Sequence, residues 1–492
     1  MGLRTIWRHV RSLGERQHNL LSISDLHLGC DLRKASKTDQ PRPNDTQLSQ
    51  FLDWHATHRE NGKPWRLLLN GDIVDFVAIT AVPKPGEVVP FEVGDEERSI
   101  GLSQSELKCV WKLNLTAGRH PQVFDALARF VQKGNSLHII RGNHDSEWRW
   151  PGVQQEMRNL LANRAGVPRK KLDRAVEFHD WFYLEPGYLY AEHGHAHDRY
   201  SVHSDFFEEQ ATRIDLPLSS KVLRYFVNRY TEQVDLPDNV DAWGVKEYLD
   251  WVLKAGNPLR IAADYFVMVF RVTYPVLRQS LKISRAFARA ADKAIASKSP
   301  EAQVRQTLLR FQGTEKQVQQ LASIASRPAE QSLFDSMQLF YLDRAILALL
   351  CLALAWSTSL LMTGFWAKAL SLTGVGIVFA ALNALLGAQR KTDAHPLLMQ
   401  AARRVAQVFD VKFVIMGHSH RAVDAQVSHS TRYLNSGSWT GHPADGFPHI
   451  AVVGTTAELR RWKGPPPPYA RPVAAPSLER DVRHSTAMAV PA

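Results

Sequence analysis

The stretch "SLHIIRGNHDSEW", residues 136–148, runs apolar for the length of one buried strand and then breaks at Gly142 into Asn143, His144 and Asp145. A strand that ends in glycine and then in proton-carrying side chains marks an α/β arrangement, in which loops at strand ends build the site. The same grammar occurs three more times in the first 200 residues. "NLLSIS" leads into "SDLHLG" (24–29) with Asp25 and His27, and "RLLLNG" into "NGDIVD" (70–75) with Asp72 and Asp75. "GYLYAEHG" leads into "EHGHAHD" (192–198) with His193, His195 and His197. Amphipathic stretches such as "DTQLSQFLDWHATH" and "PQVFDALARFVQK" lie between them at helical spacing. The pattern returns late, at "VKFVIMGHSH" with His418 and His420, then at "TRYLNSGSW", "HIAVVG" and "AELRRW".

At 492 residues the chain is too long for one ordinary core. Its formal charge is +11 and its pI is near 9.5. That surplus suits an anionic partner: a phosphorylated substrate, an acidic lipid surface or a nucleic acid. Cys30, Cys109 and Cys351 are far apart and form no CxxC, so a disulfide framework is not expected and a reducing compartment fits. The N-terminus has no long apolar run, so it does not read as a secretory signal. Gly2 is followed by Ile6 rather than Ser or Thr, which removes the myristoylation reading.

The chain divides into a basic amphipathic segment (1–18), a first α/β block (19–200), a mostly helical insertion (201–398), a second α/β block (399–464) and a Pro-rich tail (465–492). In the first segment Leu3, Ile6, Trp7, Val10 and Leu13 recur at helical spacing beside Arg4, Arg8 and Arg11. That helix either packs on the body or lies on a membrane surface. The composition of the tail predicts disorder. Inside the insertion, Arg278, Lys282, Arg285, Arg289 and Lys293 fall on one helical face. Residues 345–388 carry a single charge, Lys368, and are flanked by Arg344 on one side and Arg390 with Lys391 on the other. This is enough for two helices of about 20 residues, each near the length that spans a hydrocarbon core, with Gly364 to Lys368 as the turn. Uncharged arms and cations at both outer ends favour a transmembrane hairpin over one buried in a soluble domain. The positive-inside rule then puts both flanks, and both α/β blocks, on the cytoplasmic side.

The clusters together offer carboxylates, imidazoles and one amide. Mixed O and N donors without thiolate suit Mn²⁺, Fe²⁺ or Zn²⁺. Two ions would need a bridging carboxylate, for which Asp72 is the natural candidate. Such a pair lowers the pKa of a bridging water and clamps both oxygens of a displacement at phosphorus. The order Asp-x-His, Gly-Asp-x-x-Asp, Gly-Asn-His-Asp, His-Gly, Gly-His-x-His resembles the calcineurin-like metallophosphoesterase superfamily, over the two α/β blocks. The resemblance implies a four-layer α/β/β/α sandwich with the site at one edge, here carrying the inserted helical domain and its hairpin. It implies Asp25, His27 and His420 on a first divalent ion and Asn143, His193 and His418 on a second, with Mn²⁺ the leading candidate and Asp72 between them. His144 would face the substrate phosphate as proton or hydrogen-bond donor to the leaving oxygen, with Asp145 holding its ring. His193 directly precedes Gly194, as the motif requires, whereas His195 and His197 are not required and read as loop residues.

Departures narrow the reading. Eukaryotic-type Ser/Thr phosphatases carry Gly-Asn-His-Glu and Asp-Arg-Gly, where this chain has "GNHD" and "IVDF". Purple acid phosphatases place a Tyr ligand where this chain has Asp75. Bacterial UDP-2,3-diacylglucosamine pyrophosphatases look similar at "SDLHLG" but typically have Arg in place of His144. Repair nucleases of the superfamily share "GNHD", which keeps nucleic acid among the alternatives. The expectation is a membrane-attached phosphoesterase or pyrophosphatase acting on a phosphorylated or lipid-linked substrate, in contact with anionic lipid. The alternatives are a soluble phosphodiesterase or nuclease with a buried hairpin, and a non-catalytic membrane scaffold. No protein partner follows from these residues.

Overall fold

The strand-forming runs found in the sequence all pair. In the computed structural model, which describes residues 17–32, 43–204, 214–230, 245–287, 314–389, 393–441 and 443–465, eleven strands build two sheets. They are β1 (Asn19–Ile23), β2 (Trp65–Asn70), β3 (Ser136–Ile140), β4 (Val176–His179), β5 (Phe182–Glu185), β6 (Leu189–Glu192), β7 (Phe413–Met416), β8 (Ala422–Gln426), β9 (Arg432–Ser436), β10 (Phe447–Val453) and β11 (Thr456–Trp462). The first sheet runs β11-β10-β1-β2-β3-β4 and the second β5-β6-β7-β9-β8. Strands β1 to β4 are mutually parallel, as are β6, β7 and β9. The C-terminal ends of parallel neighbours lie side by side, so the polar loops after them are brought together.

The sheets face one another across Leu20, Leu68, Ile140, Leu189, Ile415, Leu434 and Ile450. Full burial of each such side chain contributes about 1.5–3 kcal/mol. Helices cover both outer faces. Against the first sheet lie α1 (Pro43–Thr57) and, after the short α2 (Glu97–Ile100) of the connection from β2, α3 (Glu106–Arg119), α4 (Pro121–Gln132), α5 (Pro151–Ala165) and α6 (Arg169–Ala175). Pro121 and Pro151 start α4 and α5, where the missing N–H costs nothing. Gly166 ends α5 in the left-handed conformation. In α4, Val123, Phe124, Leu127, Phe130 and Val131 form the buried face.

The helices of the long intervening segment are α7 (Leu218–Tyr225), α8 (Val245–Ala255), α9 (Pro258–Phe287), α10 (Glu315–Ile324), α11 (Leu333–Leu339), α12 (Leu342–Leu361) and α13 (Phe365–Gln389), followed by α14 (Ala394–Phe409). Helix α10 starts with a Thr314–Gln317 capping box and α14 with the Asp393 carboxylate accepting from His395 N. These two helices pack on the outer face of the second sheet through Leu321, Ile324, Leu398, Ala402 and Val405. Helices α7 and α9 share a separate core of Leu218, Met268, Val269, Val272 and Phe340.

Helices α12 and α13 are long and apolar enough to cross a membrane, and no part of their apolar windows is buried. Leu361 is 79% exposed and Trp366 81%. The turn between them is Met362–Gly364, shorter and earlier than the Gly364–Lys368 read from the sequence. Lys368 N already bonds Gly364 O in the first turn of α13, because the chain leaves the helix earlier, at the extended Met362. The N-terminal segment around residues 3–13, the tail beyond residue 465, and Arg289 and Lys293 lie outside the described residues.

Candidate metal centre

All nine residues expected from the sequence to act at the site lie in loops at the C-terminal ends of β1, β2, β3, β6 and β7. Backbone bonds lace these loops together: Asp25 N to Gly71 O at 3.1 Å, Leu26 N to Asp72 O at 2.9 Å, and Gly417 N to His193 O at 2.9 Å. The approach is close enough to need glycine. A Cβ on Gly142 would sit 2.1 Å from Asp72 Oδ1, and one on Gly71 would meet the His193 ring at 2.4 Å. Asp25, His27, Asp72, His418 and His420 all have φ between +46° and +65°, five of the eight such non-glycine residues among those described. Each costs of order 1–3 kcal/mol, and such strain persists where surrounding structure fixes it, commonly at functional sites.

Two groups of donors result. Asp25, His27 and His420 offer ligand atoms to one point, and Asp72, His193 and His418 to another. Asp25 Oδ1 is 3.2 Å from His420 Nε2. Asp72 Oδ2 stands 3.2 Å from His193 Nε2 and 3.9 Å from His27 Nε2, so it lies between the two groups. Asn143 Oδ1 is 3.2 Å from His193 Nε2. The Nδ1–H of His193 donates to Asn70 O at 2.9 Å, which leaves the Nε2 lone pair facing two oxygens. Lone pairs so arranged need a cation or a proton among them. The donor set therefore fits divalent ions, with N and O atoms and no sulfur.

The electrostatics agree. Burial alone would push the Asp72 carboxyl up, but the His193 and His144 rings hold it well below the usual range. Burial works against charge on His193, yet Asp72 and Asp25 raise it to about 9.

The structure corrects the role expected of Asp145. Its carboxylate accepts from Gly142 N at 2.6 Å, Ile73 N at 2.7 Å and Trp148 Nε1 at 2.8 Å. It fastens the loop after β3 to the loop after β2 and is not the hydrogen-bond partner of the His144 ring. That partner is Asp75, whose Oδ1 takes His144 Nδ1 at 3.0 Å and whose Oδ2 takes His27 Nδ1 at 2.9 Å. Asp75 stood in the sequence motif without a role. Burial disfavours a charged His144, but Asp75 and then Asp72 outweigh it and raise its pKa to about 10.

A second residue without a sequence signal is Asp198. Its Oδ2 accepts from His418 Nε2 at 3.2 Å, so it can fix the tautomer that leaves the Nδ1 lone pair available. His195 and His197, read as loop residues, are both buried. His197 Nε2 is 2.6 Å from Glu192 Oε1, and burial holds His195 neutral, its pKa well below normal.

The long helical segment roots beside this centre. Arg224 donates to Leu102 O and Gly101 O, and Asn228 to Val77 O, on loops that follow β2. On the other side Ser326 N and Ala329 N bond Ala196 O and Arg199 O at 2.8 Å each, and Arg199 pairs with Asp335 at 2.6 Å.

No curated protein matches the chain. Residues 18–258 match the family model of the calcineurin-like phosphoesterases, from β1 through the loops bearing Asp25, Asp72, Asn143 and His193 and on into the helical segment. The donor geometry just described is what metal-dependent phosphoester hydrolysis needs, and with this match residues 18–258 carry a calcineurin-like phosphoesterase domain, that of a hydrolase acting on phosphoester bonds.

Proposed function

We propose that the chain is a membrane-attached, two-metal phosphoesterase or pyrophosphatase whose substrate carries a phosphoester head group on a lipid. Asp25, His27 and His420 would hold one divalent ion and Asn143, His193 and His418 the other, with Asp72 shared. Mn²⁺ is the first candidate, and Fe²⁺ and Zn²⁺ suit the same donors. When bound, the pair supplies a water of lowered pKa and positive charge against the phosphate oxygens. The chain's own residues do the rest. Asp75 fixes the rings of His27 and His144 through Nδ1. Nε2 of His144 is then left to donate to the leaving oxygen. Asp145 keeps the loop carrying Asn143 and His144 against Asp72.

The observation that carries the membrane reading is the exposure of α12 and α13. Two adjacent helices with mean hydropathies of 1.8 and 2.0 have none of their windows buried. A soluble body does not leave so long an apolar hairpin in water, whereas a bilayer accepts helices of this length whose backbone bonds are internal. It also speaks against the buried hairpin of a soluble nuclease. Arg344, Arg390 and Lys391 would keep both ends of the hairpin on the cytoplasmic side. Deleting 345–388 should move the protein from the membrane to the soluble fraction. Hydrolysis of a small water-soluble ester should survive, while hydrolysis of a lipid phosphoester in mixed micelles should fall. Identical partitioning of the two proteins would overturn the reading.

A further inference from the structure

Helix α9 is apolar on two faces, and the core accounts for only one. Ile261, Met268, Val269 and Val272 are buried in the helical segment. The opposite side exposes Leu259 (82%), Phe266 (62%), Val267 (64%), Phe270 (66%) and Tyr274 (47%). At 3.6 residues per turn these five positions, with Ala263, fall in one stripe about 100° wide. Phe270 and Tyr274 stack on one another at 5.2 Å rather than on any core residue. Arg260, 81% exposed, and Arg271, which also pairs with Glu96, follow one edge of that stripe. A long apolar stripe edged by cations on one flank is the pattern of a helix lying in the plane of a bilayer interface.

The hairpin leaves the protein beside this helix. Tyr265 OH of α9 donates to Phe340 O at 2.9 Å, two residues before α12 begins. Helix α11, which leads into the hairpin, packs on α9 and exposes Phe334 (51%). Tyr341, at the foot of α12, is 45% exposed. Aromatic side chains at such a foot are those that settle at headgroup level.

We propose that α9 is a second, peripheral membrane contact, lying along the headgroup region of an anionic leaflet with Phe266, Val267, Phe270 and Tyr274 inserted. This rests on the hairpin being membrane-inserted and adds where the bilayer surface lies. Helix α7, packed on α9, places Ser220 Oγ 3.5 Å from Asn143 O. The bilayer surface under α9 is thus separated from the metal centre by the thickness of one helix pair, which suits a substrate whose tail stays in the leaflet.

The test uses the full chain with Cys30 and Cys351 replaced by Ala and one environment-sensitive fluorophore attached at a time. The label sites are Phe270→Cys on α9, Leu349→Cys on the hairpin and Val88→Cys on the α/β body. Hydrolysis of p-nitrophenyl phosphate esters checks that each labelled protein is intact. In vesicles of phosphatidylglycerol and phosphatidylethanolamine, the label at 270 should shift to the blue and be quenched best by lipids with a nitroxide near the headgroup. The label at 349 should be quenched best by a nitroxide deep in the chain, and the label at 88 should stay wet. A label at 270 as wet as that at 88, with 349 deep, overturns this proposal and leaves the hairpin reading standing. Wet labels at both 270 and 349 overturn both. A label at 270 that is dry in detergent at the mass of two chains, and unquenched by either nitroxide lipid, means that a second copy covers the stripe, and the proposal fails.

Discussion

Asp75 and His144 are joined across the loops that follow β2 and β3. The carboxylate Oδ1 lies 3.0 Å from Nδ1 of the ring, and the same carboxylate holds His27 through its other oxygen at 2.9 Å. One side chain therefore orients the His27 and His144 rings together. Asp75→Asn should lower turnover by about 10- to 100-fold, as for other carboxylates behind metal-binding histidines. It should also weaken metal affinity through His27. Asp145→Asn should act mainly on the melting temperature, because it loosens three hydrogen bonds within the loops. Steady-state kinetics with metal titration and thermal melting on both variants separate the roles. Equal kinetic losses without a melting difference would reverse the assignment.

His144→Ala should retain its metals and lose on the order of 10²–10⁴ in turnover. The loss should shrink for esters whose leaving group is already acidic, such as p-nitrophenol, since these need no proton from the protein. Rates across leaving groups of graded pKa check this. A uniform loss would rule out proton donation and leave stabilisation of the transition-state charge as the role of the ring.

Away from the centre, three buried histidines tie stability to pH. Burial lowers the pKa of His55 to about 4 and of His449, with help from His55, to about 3. Burial, with Arg66 nearby, lowers His138 to about 2. Below the ordinary value near 6.5 the unfolded chain takes up protons that the folded chain refuses. The contribution of these residues is thus intact above about pH 6.5 and drains away as pH falls toward 4. Denaturant unfolding at pH 7.5 and pH 5 should show the folded state weakening, with a shallower dependence in His449→Asn. An unchanged pH dependence in that variant would contradict the account.

Much of the centre was legible because its grammar is local. Each of Asp25, Asp72, Asn143, His193 and His418 follows a short apolar strand, and all but Asp25 sit beside a glycine, so a linear reading finds them all. The partner of His144 was not legible. Asp145 is next in sequence, but the loops after β2 and β3 cross so that Asp75 meets the ring. Asp198 was hidden for the same reason, since its pairing with His418 spans 220 residues. Helix α10 lies within the inserted stretch yet packs on the second sheet, because Leu321 and Ile324 find a partner in α14, which no periodicity announces. The exposed stripe of α9 escaped because apolar residues on two faces blur a one-sided pattern.

The central claim is a two-ion centre shared through Asp72, and metal content per chain tests it most directly. Purified wild-type protein and His195→Ala should each carry two divalent ions per chain after loading with Mn²⁺. Asp72→Ala, folded by circular dichroism, should lose its metals and its turnover together. Two ions retained in Asp72→Ala would contradict the shared centre.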